Sequence, residues 1–158
     1  MSRFLLVRLG AFGEVDASLH LEGIQEQGVA IDRFDLEVDG LVFDRTSAFN
    51  GDVRVNGLDR ATTSITLSEG TIGELVGVPV DISADGTITA GGVSVQADMI
   101  NGALALGTTA VPVRLARFLP CAPEVALADE AVTLTCVTDE LPPVVNRVLG
   151  EAAAAVRG

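Results

Sequence analysis

Val15-Asp16-Ala17-Ser18-Leu19-His20-Leu21-Glu22 sets an apolar residue at every odd position and a polar one at every even position. Successive side chains of a strand point to opposite faces, so this is a strand with one dry and one wet face. Downstream, Val29 and Ile31 continue on odd positions, but Phe34, Leu36 and Val38 fall on even ones. A bulge or kink near Arg33 reconciles the two series. Gly40 breaks the pattern before Leu41-Val42-Phe43, and Val53 and Val55 precede an expected turn at Asn56-Gly57.

Ala61, Thr63, Ile65 and Leu67 alternate again, and Ser68 then caps a short helix running to about Val76, with Ile72, Leu75 and Val76 on its apolar face. Beyond it, Val80 and Ile82 lead to Asp85-Gly86, a hairpin signal, and Ile88 returns toward Gly91-Gly92. Val93, Val95, Ala97 and Met99 alternate as one strand before the Asn101-Gly102 turn, with Leu104 and Leu106 beyond it. Two strands, Val125 to Leu127 and Val132 to Cys136, then flank Asp129-Glu130. A final helix is expected, capped by Thr138 or Asp139, with Pro142 and Pro143 in its first turn and Val144, Val145, Val148, Leu149 and Ala152 on one broad face. No strand–helix–strand alternation implies a parallel sheet. The fold class is therefore α+β, predominantly antiparallel β, a curved meander sheet packed with a short helix and a C-terminal helix.

At 158 residues and 48% apolar composition the chain is read as one domain, 1–158, with a real core. That core is aliphatic, because the chain has six Phe and neither Trp nor Tyr. A formal charge of −12 opposes a phosphate-tracking groove, so nucleic acid is not expected as a partner. The same imbalance opposes broad adsorption to an anionic bilayer while leaving room for single arginines to meet a headgroup. No apolar run approaches the roughly 20 residues of a membrane-spanning helix. The stretch before Gly10 is interrupted by Arg8 and is not read as a signal peptide.

Cys121 and Cys136 flank the expected hairpin at Asp129-Glu130, so strand pairing brings them together and a disulfide fits. Two buried reduced thiols are the alternative. A metal site is not expected, with one His and no CxxC spacing. His20 falls on a wet face without a recognisable nucleophile motif and is read as a solvated histidine. Asp16, Glu22, Asp35 and Glu37 fall on wet faces too, and no two of them stand out as acid and base. No catalytic residue and no cofactor is expected. Arg114 and Arg117 bracket Leu115-Ala116 ahead of Phe118-Leu119, a small basic and apolar cluster that either touches a lipid phosphate or pairs with nearby acids on the surface.

Phe118-Leu119-Pro120-Cys121-Ala122-Pro123-Glu124-Val125, then Leu134-Thr135-Cys136 and Asp139-Glu140-Leu141-Pro142-Pro143, resembles the LmeA-like phospholipid-binding family of actinobacteria. The resemblance extends through Phe12-Gly13-Glu14-Val15-Asp16, Ile31-Asp32-Arg33-Phe34 and residues 62–76. It implies a non-catalytic cell-envelope or secreted protein that binds phospholipid or another envelope lipid, with peripheral membrane contact and a role in lipid or lipoglycan assembly. It also admits a tubular half barrel as the form of the sheet. Family members carry an N-terminal signal or anchor, a helix and a strand before the matching segment, which this chain is expected to lack. The lipid-facing residues expected on this reading are Ile72, Leu75, Val76, Val145, Val148 and Leu149, with Arg114 and Arg117 nearest in sequence for the headgroup. The competing reading is a structural or protein-interaction domain of the envelope without bound lipid.

Overall fold

The computed structural model describes residues 3–9, 14–26, 29–43, 55–83, 85, 87–100, 103–111, 118–128, 130–143 and 145. Its largest element is a seven-stranded antiparallel sheet. The strands are β1 (Arg3–Leu9), β2 (Glu14–Glu26), β3 (Val29–Phe43), β4 (Val55–Gly57), β5 (Arg60–Ser68), β12 (Glu124–Ala128) and β13 (Ala131–Thr138). They run in the order β1-β2-β3-β5-β13-β12, with β4 paired to β3. Two three-stranded sheets are formed by β6 (Val80–Ile82), β7 (Ile88–Ala90) and β8 (Val93–Val95), and by β9 (Ala97–Ile100), β10 (Ala103–Leu106) and β11 (Thr109–Ala110). The expected mostly antiparallel β architecture is thus present, and the sheets are open among the described residues.

Register makes the large sheet two-faced. Leu19 stands opposite Leu36, Leu36 opposite Thr63, and Thr63 opposite Cys136. Beside that row, Leu21, Phe34, Ile65 and Leu134 face one another in the same way. Ala61, Thr63, Ile65 and Leu67 are wholly buried, while Thr62, Ser64, Thr66 and Ser68 between them are half-buried on the other side. The dry face packs against Ile72, Ile82, Ile88, Leu104 and Val111 and the segment around Phe118, whose ring lies 6.3 Å from that of Phe34 in a tilted arrangement.

The change of phase in β3 falls where the apolar pattern requires it. Ile31 and Phe34 are both buried, with exposed Arg33 between them. Across from this point Gly23 takes a left-handed φ of 61°, and the Gly23/Asp32 pair drops out of the ladder without inserting a residue on either strand. Asp32 instead accepts the Ser68 backbone N–H at 2.7 Å. A true bulge lies further along. Val15 pairs with Leu41 and Ala17 with Val38, so Asp39 and Gly40 together oppose Asp16, whose carboxylate accepts the Gly40 N–H at 3.1 Å. Gly40 therefore does not end a strand, and β3 runs through it to Phe43.

Helix α1 (Glu69–Val76) starts as expected, with the Thr71 N–H donating to Ser68 Oγ at 3.3 Å. Gly77 at φ 75° closes it by donating to the Gly73 carbonyl. Glu69 accepts the Ile82 N–H at 3.1 Å and so ties the helix to β6.

Two expectations need correction, and one strand was not foreseen. Asn56 and Gly57 belong to β4, and the chain bends after them at Asp59, whose N–H donates to the Asp39 carbonyl. Residues 93–99 form two strands in different sheets, separated at Gln96, whose carbonyl accepts the Gly107 N–H at 2.8 Å. Residues 3–9, read only as a failed leader sequence, form edge strand β1 in full register with β2. At the C-terminus, Pro143 and Val145 have helical backbone and the Val145 N–H donates to the Pro142 carbonyl, while the rest of the expected helix lies outside the described residues.

Gly23 and Gly40 separate two costs of side-chain addition. Both have left-handed φ, but an added Cβ meets nothing within 4 Å at Gly23 and overlaps the Asp59 side chain, whose own Cβ lies 2.9 Å away, at Gly40. Gly23→Ala should therefore cost about 1 kcal/mol from backbone strain alone. Gly40→Ala should cost visibly more in denaturant unfolding, and equal losses would contradict the bulge geometry.

Candidate functional site

The two faces of the large sheet present different chemistry. On the dry face, the residues expected to meet a lipid divide into two groups. Ile72 is fully buried against the sheet, and Leu75, Val76 and Val145 are partly buried and packed on the same core. Arg114, Arg117, Val148 and Leu149 lie outside the described residues. Thr63 stands in the middle of this apolar face. Its side chain is wholly buried, and its hydroxyl has no hydrogen-bond partner among the described residues. An orphaned buried hydroxyl costs about 1–3 kcal/mol, so its presence where valine has the same shape calls for a reason.

On the wet face, β2, β3 and β5 line a depression of about 440 Å³. Register builds it: Ser18, Glu37 and Thr62 form one rung across the three strands, and His20, Asp35 and Ser64 form the next. His20 Nδ1 contacts Asp35 Oδ1, and His20 Nε2 lies 3.2 Å from Glu22 Oε1. The second Asp35 oxygen accepts from Arg33 Nε at 2.7 Å. Ser64 shares a hydrogen bond with Thr135 at 3.2 Å, and Thr66 with Thr133 at 3.4 Å.

This arrangement corrects the reading of His20 as simply solvated. Its side chain is 25% exposed and lies between two carboxylates, while Ser64, in the same depression, bonds Thr135. With one carboxylate at each ring nitrogen, the described geometry is a charge network rather than a relay to a hydroxyl nucleophile. The sequence held a usable signal for it. Gln27-Gly28 lies midway between His20 and Asp35 in sequence, and counting outward from that pair sets the two opposite each other, as in the register.

Cys121 and Cys136 form a disulfide with Cα atoms 5.8 Å apart. The cross-link joins the segment before β12 to β13, and closing a loop of sequence separation 15 stabilises the fold by about 3 kcal/mol in the chain-entropy account. Disulfides persist in oxidising compartments, so the bond suggests an extracytoplasmic environment. Among the described residues no helix is long and apolar enough to cross a membrane, and no group of His, Cys, Asp and Glu is arranged to hold a metal ion. No known family, curated protein or solved structure matches the chain.

The Asp35 contact, followed by that with Glu22, raises the His20 pKa above its usual 6.5. A raised folded-state pKa contributes stability that is fully present below the unfolded value and is lost as pH rises through the folded one. The Tm advantage of the native protein over His20→Gln should therefore be larger at pH 5.5 than at pH 8.5. A difference in Tm that does not change between these pH values would show that the imidazolium is not held by Asp35 and Glu22.

Proposed function

We propose that this chain is a non-catalytic lipid-binding domain of the cell envelope that takes a phospholipid acyl chain against the dry face of its large sheet. The observation that carries the reading is Thr63, a hydroxyl without a partner among the described residues, buried at the centre of an otherwise apolar sheet face. An ester carbonyl of a lipid is an acceptor of the kind this hydroxyl lacks. Acyl methylenes beside it contribute about 0.8 kcal/mol each when buried, which suits a wall of Val, Leu and Ile. Ile72, Leu75 and Val76 of α1 and Val145 pack on the same core and form the cover of the chain on this reading, with Val148 and Leu149 extending it. Arg114 and Arg117 supply charge for the headgroup phosphate. Closure of the sheet into a half barrel, membership of the LmeA-like family and a role in envelope lipid or lipoglycan assembly belong to the same proposal. The disulfide is consistent with it, since the envelope is an oxidising compartment.

Native mass spectrometry of the protein from its own host should show a lipid-sized adduct released by organic extraction. Thr63→Val should lower the fraction carrying that adduct, yet raise the Tm of the delipidated protein, with a gain of about 1 kcal/mol from removing the orphaned hydroxyl. Absence of any lipid from the native protein would move the assignment to a structural or protein-interaction domain. Undiminished lipid in the valine variant would remove Thr63 from the site.

A further inference from the structure

We propose that the depression on the wet face of the sheet is a second binding site, for an uncharged polyhydroxylated ligand such as a sugar ring, held across the Ser18, Glu37 and Thr62 rung. Neighbouring strands stand about 4.8 Å apart, so these three groups span roughly 10 Å in a row. Among the described residues none of the three side chains has a hydrogen-bond partner, although all three residues line the depression. A carboxylate flanked by two hydroxyls accepts from and donates to the hydroxyls of a sugar. Arg33, engaged through Nε alone among the described residues, leaves its terminal nitrogens as further donors two rungs away in the same lining.

The charges around this rung are of both signs. Glu22 of β2 and Asp35 and Glu37 of β3 oppose an anion, while Arg33 of β3 opposes a cation. Strand β5 contributes the hydroxyls of Thr62 and Ser64 to the lining, and exposed Arg60, opposite Asp39 in register, lies one step beyond Thr62 on the same face. Asp35 is held from both oxygens, one by His20 and one by Arg33, so this part of the wall is ordered before a ligand arrives. A volume of about 440 Å³ lies within the range of small-ligand sites. The site lies on the opposite face from Thr63 and does not depend on the lipid reading.

The test is a titration of the full chain with methyl α-D-glucopyranoside, followed through backbone amide shifts, with glucosamine and glucose 6-phosphate as charged comparators. Saturable shifts at Ser18, Glu37 and Thr62 are expected, with a dissociation constant on the order of 1 mM. Glu37→Ala should weaken binding about tenfold or more and leave lipid retention unchanged. Ser18→Ala, a smaller change on the same rung, should weaken it less. Absence of saturable shifts, wild-type binding by Glu37→Ala, or tighter binding of either charged comparator would overturn the assignment.

Discussion

Strand β5 must pair with β3 on one side and β13 on the other in a single register, and the rest of the domain depends on that constraint. A slip of one residue would send Ala61, Ile65 and Leu67 to the wet face and bring Thr62, Ser64 and Thr66 into the core. The hydroxyl pairs of β5 with β13 would be lost together with the rows of Leu36, Phe34 and Leu134. The disulfide works in the same direction. Cys136 closes the row that contains Thr63, and its bond to Cys121 holds the segment following Leu119 near the end of that row.

Three of the carboxylates stabilise irregular backbone. Asp16 accepts from Gly40 at the bulge, Asp32 from Ser68 at the helix entry, and Glu69 from Ile82 where the small sheet begins. Each is a place where a ladder or a helix leaves an N–H without its regular partner, and a carboxylate is a strong acceptor for such a group. Asp35 plays a different part, joining His20 on the neighbouring strand to Arg33 on its own.

How much could be read from residues alone follows from the range of the interactions involved. Ser68 before α1 and the alternation through 61–67 are local signals, and both elements appear where they were expected. The change of phase near Arg33 was legible because buried positions switch parity there. Strand β1 was not legible, since residues 4–7 are all apolar and show no period of two. Nor was the break at Gln96, because alternation persists through a point where the chain changes sheets, and side-chain period carries no record of the strand's partner. The His20–Asp35 contact depends on register across residues 15 apart in sequence, which periodicity within one strand does not encode. Asn56-Gly57 has the composition of a turn, but pairing of β4 with β3 outweighs that preference.

The two faces of one sheet thus offer separate chemistry, an apolar wall with, among the described residues, one orphaned hydroxyl, and a rung of open polar groups. The proposed function rests on the first. Its most direct test is a nuclear Overhauser experiment on protein with labelled Ile, Leu and Val methyl groups and a bound phospholipid. The account predicts contacts from acyl methylenes to the methyls of Ile65, Leu134 and Ile72, which surround the Thr63 face. Acyl contacts confined to the exposed side chains of Val93 and Val137, with none to these three, would contradict it.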